Sequence, residues 1–91
     1  MYLLKYSRRF KKDLKKLKRS GNFNIEVFLS VMDGLTRGKT LDKKFQNHKL
    51  KGEFSDCCEC HIQPDVLLIY RIDKQKSLLY LLRIGSHSDL F

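Results

Sequence analysis

No run of apolar residues in this 91-residue chain approaches the roughly 20 needed to cross a membrane. The N-terminus, MYLLKYSRRF, does not make a signal peptide either, because its apolar stretch is too short and its basic residues follow that stretch. A cytoplasmic protein is therefore expected. Proline occurs once and glycine five times, and there is no repeat, linker or low-complexity segment. One domain over 1–91 is expected, with a modest core burying about two-thirds of the surface that the unfolded chain exposes. The three cysteines crowd together as Cys57, Cys58 and Cys60 in DCCECH. An odd count with no distant partner excludes a disulfide framework. Zinc usually takes four ligands from two separated pairs, whereas His61 as a fourth ligand would share one strand with all three thiols. Buried, reduced cysteine is the expectation, and no metal or cofactor is called for.

Acidic residues are scarce where basic ones are dense. Residues 1–53 hold 15 Lys or Arg against 5 Asp or Glu, a net +10, while residues 54–91 hold 4 against 5, a net −1. The whole chain carries +9. Charge this concentrated points to an anionic partner, with nucleic acid first and an acidic protein or anionic membrane behind it.

MYLLKY, residues 1–6, reads as a short strand. Ser7 is placed to cap a helix, and in SRRFKKDLKKLKRSG the residues Phe10, Leu14 and Leu17 form one narrow apolar stripe. Lysines and arginines cover the rest, with Asp13 the only acid. Like charges at i,i+4, such as Lys11 with Lys15, cost a few tenths of a kcal/mol each, so a chain that keeps them is using them. Gly21 supplies the left-handed residue that commonly ends a helix. A second helix begins at Asn22 or Asn24, with Ile25, Phe28, Met32 and Leu35 on one face and Leu29 and Val31 widening it, and it fades around Gly34 to Gly38. The short turn between the helices implies an antiparallel pair. Residues 36–53 have no sustained period and read as a long basic loop containing His48. From Phe54 the pattern becomes strand: FSDCCECHI, the Pro64–Asp65 turn, VLLIYRI, the turn DKQK, then SLLYLLRI. The fold class expected is α+β: a strand, a two-helix hairpin, and a three-stranded antiparallel meander with the helices on one sheet face.

The three histidines, His48, His61 and His87, all sit in or beside loops. Simple hairpins return the end of the last strand, at Arg83, to the end of the sheet that holds His61 and Asp65, so His61, Asp65, Arg83 and His87 are expected near one another. Glu59 shares a strand face with His61, and Cys58, Cys60 and Ile62 share the other. Metal-free RNA hydrolysis needs a base for the ribose 2′-hydroxyl, an acid for the leaving 5′-oxygen, and a cation for the charge gathering on phosphorus. Histidine suits both proton transfers, Arg83 suits phosphate, and Phe91 or Tyr70 suits stacking on a base. These residues by themselves leave catalysis and plain RNA binding about equally placed.

H-x-L-x-G (His48, Leu50, Gly52), ECHIQPDVLLIY (Glu59 to Tyr70) and RIGSHSDLF (Arg83 to Phe91), taken with the order of elements, resemble the YafQ family of the RelE/ParE toxin superfamily. That resemblance implies a type II toxin–antitoxin module and a ribosome-dependent endoribonuclease that cuts mRNA in the ribosomal A site. By the same resemblance His48, His61, Asp65, Arg83 and His87 are the catalytic set. His87 is then the general acid, with His48 or Asp65 as base and His61 supporting. Glu59, Phe91, Lys49 and Lys51 hold substrate. Lys11, Lys12, Lys15, Lys16, Lys18 and Arg19 contact ribosomal RNA. An acidic, DNA-binding antitoxin and the ribosome with its mRNA are the partners implied. Val66 stands where some family members carry tryptophan. A ParE-like inhibitor of DNA gyrase and an RNA-binding module without catalysis are the alternatives.

Overall fold

The computed structural model describes residues 1–52 and 56–91. Its elements are β1 (Leu3–Tyr6), α1 (Arg8–Ser20), α2 (Ile25–Thr36), a 3-10 turn (Lys43–Phe45), β2 (His48–Lys49), β3 (Cys58–Gln63), β4 (Val66–Asp73), β5 (Leu78–Gly85) and α3 (His87–Leu90). The strands make one five-stranded sheet in the order β1-β5-β4-β3-β2. β1 runs parallel to β5, and the other pairs are antiparallel.

Local chemistry starts and stops the helices as expected. The Ser7 hydroxyl accepts from the Phe10 amide at 2.9 Å and donates to the Leu82 carbonyl at 2.7 Å, so one residue caps α1 and ties it to β5. Gly21 ends the helix with φ 78°. Arg8 and Arg9 open a helix whose amide end is already positive, which is unfavourable, so packing of its stripe, not its surface charge, holds α1 in place. Of the two candidate caps for α2, Asn24 does the work, accepting from Val27 at 3.1 Å. Gln63 at the end of β3 then staples the interhelical turn to the sheet, accepting from the Asn24 amide at 2.8 Å and donating to the Asn22 carbonyl at 3.0 Å.

Three expectations are corrected. The segment expected as a continuous loop contains the 3-10 turn and a fourth antiparallel strand, β2, which at two residues is too short to show alternation. Ile25 and Leu29 do not line the core: they are 44% and 58% exposed, because the buried stripe of α2 is Phe28, Val31, Met32 and Leu35. Tyr70 cannot stack on a base, since it is buried beneath the helices at 2% exposure. The predicted start of β3, Phe54 and Ser55, lies outside the described residues.

β4 is buried from Val66 to Tyr70, the continuous aliphatic run expected of a strand covered on both faces. On the helix side Phe10, Phe28, Val31, Met32 and Leu35 meet Cys60, Ile62, Val66, Leu68, Tyr70, Leu79, Leu81 and Ile84. On the other side a smaller cluster joins Cys57, Leu67, Ile69 and Leu90, flanked by Leu50 and Leu82. All three cysteines are unpaired thiols, with Cys57 and Cys60 buried and Cys58 half-buried. Burial, with Glu59 next in importance, pushes the Cys60 thiol up to about 12.

Candidate active site

The face away from α1 and α2 carries the histidines, and strand register sets them out. His48 of β2, Glu59 of β3, Ile69 of β4 and Arg83 of β5 are neighbours across four strands. In the next row, two residues along, His61 and Gly85 flank Leu67. With strands about 4.8 Å apart, the backbones of His61 and Gly85 are separated by about two strand spacings, and Leu67 and Ile69 form an apolar floor between them.

Glu59 joins two of the histidines. Its Oε1 lies 3.8 Å from Nε2 of His48 and 3.6 Å from Nε2 of His61. The carboxylate is the most enclosed member of the trio, with a side chain 10% exposed against 52% for His48 and 25% for His61. His48 Nδ1 lies 2.7 Å from the Gln46 carbonyl oxygen. A carbonyl only accepts, so Nδ1 carries the proton and the lone pair of the neutral ring is on Nε2, facing the site. The turn presenting His48 is held from below, where the Tyr70 hydroxyl donates to Asn47 Oδ1 at 2.5 Å.

His87 opens α3, a single turn anchored at three points. Ser86 and Asp89 form a reciprocal capping box, Leu90 is seated in the second cluster, and Lys16 of α1 reaches Asp89 at 3.4 Å. The Ser86 hydrogen bonds, followed by Lys16, hold the Asp89 carboxyl below the usual carboxylate range. The His87 and Phe91 rings lie 5.1 Å apart at 46°.

Two of the residues expected at this cluster face elsewhere. The register shifts between Ile69 and Tyr70, leaving Leu82 as an extra residue on β5. Arg83 is then engaged by α1: Nε donates to Asp13 Oδ2 at 2.7 Å and Nη2 to Oδ1 at 3.2 Å, and the Ile84 amide adds a third bond to Oδ2 at 3.2 Å. The Asp13 hydrogen bonds hold the guanidinium proton above its ordinary value. Asp65 is exposed in its turn and lines a cavity with Leu17, Ser20, Ser86 and Asp89. The cavity beside Arg83 shares Leu17, Ser20 and Asp89 with it. His61 thus keeps the company of His48 and Glu59, while Asp65 and Arg83 line neighbouring cavities against α1. Lys49 and Lys51 are exposed, as are Lys11, Lys12, Lys15, Lys16, Lys18 and Arg19 on α1. Val66 is buried in the helix-side core. Sequence reasoning missed Asp13 as the partner of Arg83, although a lone acid in a basic helix was a signal for it. It also missed the Tyr70–Asn47 support, for which no sequence signal exists. Among the described residues no group of three His, Cys, Asp or Glu is arranged to hold a metal ion, and no helix is long and apolar enough to cross a membrane.

This fold, a mixed sheet with two helices on one face, is shared with solved structures of bacterial toxins. Within that class the chain belongs to the YafQ family, whose model, described as the bacterial toxin YafQ of a type II toxin–antitoxin system, matches residues 2–91. A YafQ protein of Haemophilus influenzae is 35% identical over 88 residues, covering 92% of this chain and 86% of the relative. The mRNA interferase toxin YafQ of Escherichia coli is 29% identical over 89 residues, covering 97% and 94%. Among solved structures, a metal-bound toxin from Helicobacter pylori superposes with a TM-score of 0.92 at 42% identity over the full length of both chains. YafQ in the E. coli DinJ–YafQ complex does so at 0.85 and 27% identity, over 100% of this chain and 99% of that one.

Proposed function

We propose that this toxin is a ribosome-dependent endoribonuclease that cleaves mRNA by attack of the ribose 2′-hydroxyl on the adjacent phosphate. The observation that carries the proposal is the single Glu59 oxygen set between Nε2 of His48 and Nε2 of His61. His48, with its lone pair on Nε2, takes the 2′-hydroxyl proton. The alkoxide attacks phosphorus, and the bond to the 5′-oxygen breaks as His87 protonates that oxygen. The products are a 2′,3′-cyclic phosphate and a 5′-hydroxyl. Glu59 stabilises the imidazolium formed on His48, and His61 shares its charge. Arg83, held against α1 by Asp13, is assigned no contact with the reacting phosphate, and the charge growing on phosphorus falls to Lys49 and Lys51. Of the two bases the sequence allowed, His48 is favoured. Asp65, on the cavity behind Ser86, is assigned no proton transfer. Phe91, beside His87, stacks on a base, and Lys49 and Lys51 hold phosphates. Every proton and charge in this route is handled by a side chain.

The exposed α1 cations suit ribosomal RNA, giving an affinity that falls with salt. By analogy with the DinJ–YafQ assembly, an acidic antitoxin is the proposed neutralising partner. His87→Ala is expected to lower the rate constant for mRNA cleavage on ribosomes about 10²–10⁴-fold while leaving the melting temperature and ribosome binding unchanged. Undiminished cleavage by that variant would sink the assignment. Inhibition of DNA supercoiling by the purified chain, with mRNA intact, would do the same.

A further inference from the structure

The sheet face that bears the histidine row continues past it. Register places Lys5 of β1, Tyr80 of β5 and Arg71 of β4 side by side. Arg71 is two residues from Ile69, so by alternation this row shares a face with Ile69 and Glu59, about 7 Å further along the strands. The helices pack on the opposite face, on the cluster around Phe10, Phe28 and Leu81. The Arg71 guanidinium lies over the Tyr80 ring, 4.5 Å from its centroid. Both residues are half-buried, and Lys5 is exposed. Among the described residues Arg71 makes no ion pair within 4.0 Å, while Asp56 and Asp73 line the same cavity.

Single-stranded RNA is held by this combination: bases stack on aromatic rings and guanidinium planes, and cations take the phosphates. Arg71 lies one strand across and about two residues along from Glu59, roughly 8 Å between backbones, and Tyr80 lies one strand further. We propose that Lys5, Arg71 and Tyr80 form a subsite for single-stranded RNA that seats a nucleotide flanking the cleaved bond, with the Arg71–Tyr80 stack under the base and Lys5 on the phosphate. The proposal rests on the ribonuclease function above. A protein segment from the antitoxin is the competing occupant. It is disfavoured because a guanidinium stacked on an aromatic ring offers a platform for a base, which the carboxylates of an acidic segment would not use.

The test uses a short 5′-fluorescein-labelled oligoribonucleotide with 2′-O-methyl riboses, which cannot be cut by 2′-hydroxyl attack, and reads Kd by fluorescence anisotropy. Arg71→Ala and Tyr80→Ala are expected to raise Kd roughly five- to twenty-fold. Tyr80→Phe should bind like the parent, and Lys5→Ala should reduce the slope of log Kd against log salt by about 0.7. On ribosomes the two alanine variants should raise KM more than they lower kcat. Arg71→Ala, at a half-exposed position, keeps the test decisive if Tyr80→Ala fails to fold. Unchanged Kd in Arg71→Ala overturns the subsite. So does a loss of antitoxin affinity with RNA affinity intact, which would assign the row to protein. If the parent chain binds the oligonucleotide through this row but cuts no mRNA, the subsite stands and the catalytic proposal falls.

Discussion

Among the described residues, thirteen buried side chains form the cluster under the helices and four form the cluster on the opposite face. The larger one contains Phe10, Leu68, Leu79 and Leu81, each at 0% exposure, and the only ionisable side chains in it are a tyrosine and a cysteine. The smaller one is bordered by Glu59, itself buried, and by two histidines that keep contact with water. The same strands supply both faces by alternation. Stability is therefore concentrated where α1 and α2 exclude water, and the proposed chemistry is placed on the face where, among the described residues, Leu90 of α3 and Leu50 give partial cover.

Phe10→Ala should affect the covered face alone. Removing a ring at 0% exposure is expected to cost about 3–5 kcal/mol, read by denaturant unfolding. A much smaller loss would mean that the two faces are not so unequally loaded. Asp13→Ala tests the seam between them. It strands Arg83, whose side chain is 18% exposed, and is expected to cost about 2–3 kcal/mol, below the roughly 3–5 of a fully buried pair. Glutamate at that position should restore part of the loss.

Tyr70→Phe links the faces from inside. Its ring belongs to the covered core, but its hydroxyl supports Asn47, next to His48. A stability loss of about 1 kcal/mol accompanied by a several-fold fall in kcat is expected, and an unchanged kcat would separate His48 from that support. The smallest effect concerns α3. Asp89 is held below the ordinary carboxylate range in the folded chain, so its contribution is present above the unfolded value, near pH 3.9, and is lost as pH falls through the lower folded value. In an acid titration followed by melting temperature, Asp89→Asn should lack that small component while matching the parent's remaining profile.

The sequence reading located the helix caps, the stripe of α1, the hairpins after Pro64, and the shared face of Glu59 and His61, because each depends on residues close along the chain. It overfilled the core face of α2 with Ile25 and Leu29, because periodicity gives the side of a helix but not how far a neighbouring sheet reaches around it. It did not find β2, since two residues carry no alternation and His48 becomes strand only by pairing with Glu59. The convergence of His61, Asp65, Arg83 and His87 at one end of the sheet followed from hairpin geometry, but their division between faces did not. That division depends on the extra residue at Leu82 and on Asp13, seventy positions from Arg83.

Sequence by itself determined the class of fold, the basic first helix and the residues available for proton transfer, because composition, caps and period-two alternation are local. Only the tertiary structure decided which of those residues share a site. Register across four strands set Glu59 between two imidazoles, and packing of α1 against β5 turned Arg83 toward Asp13. Both outcomes rest on contacts between segments far apart in the chain, and no local pattern encodes them.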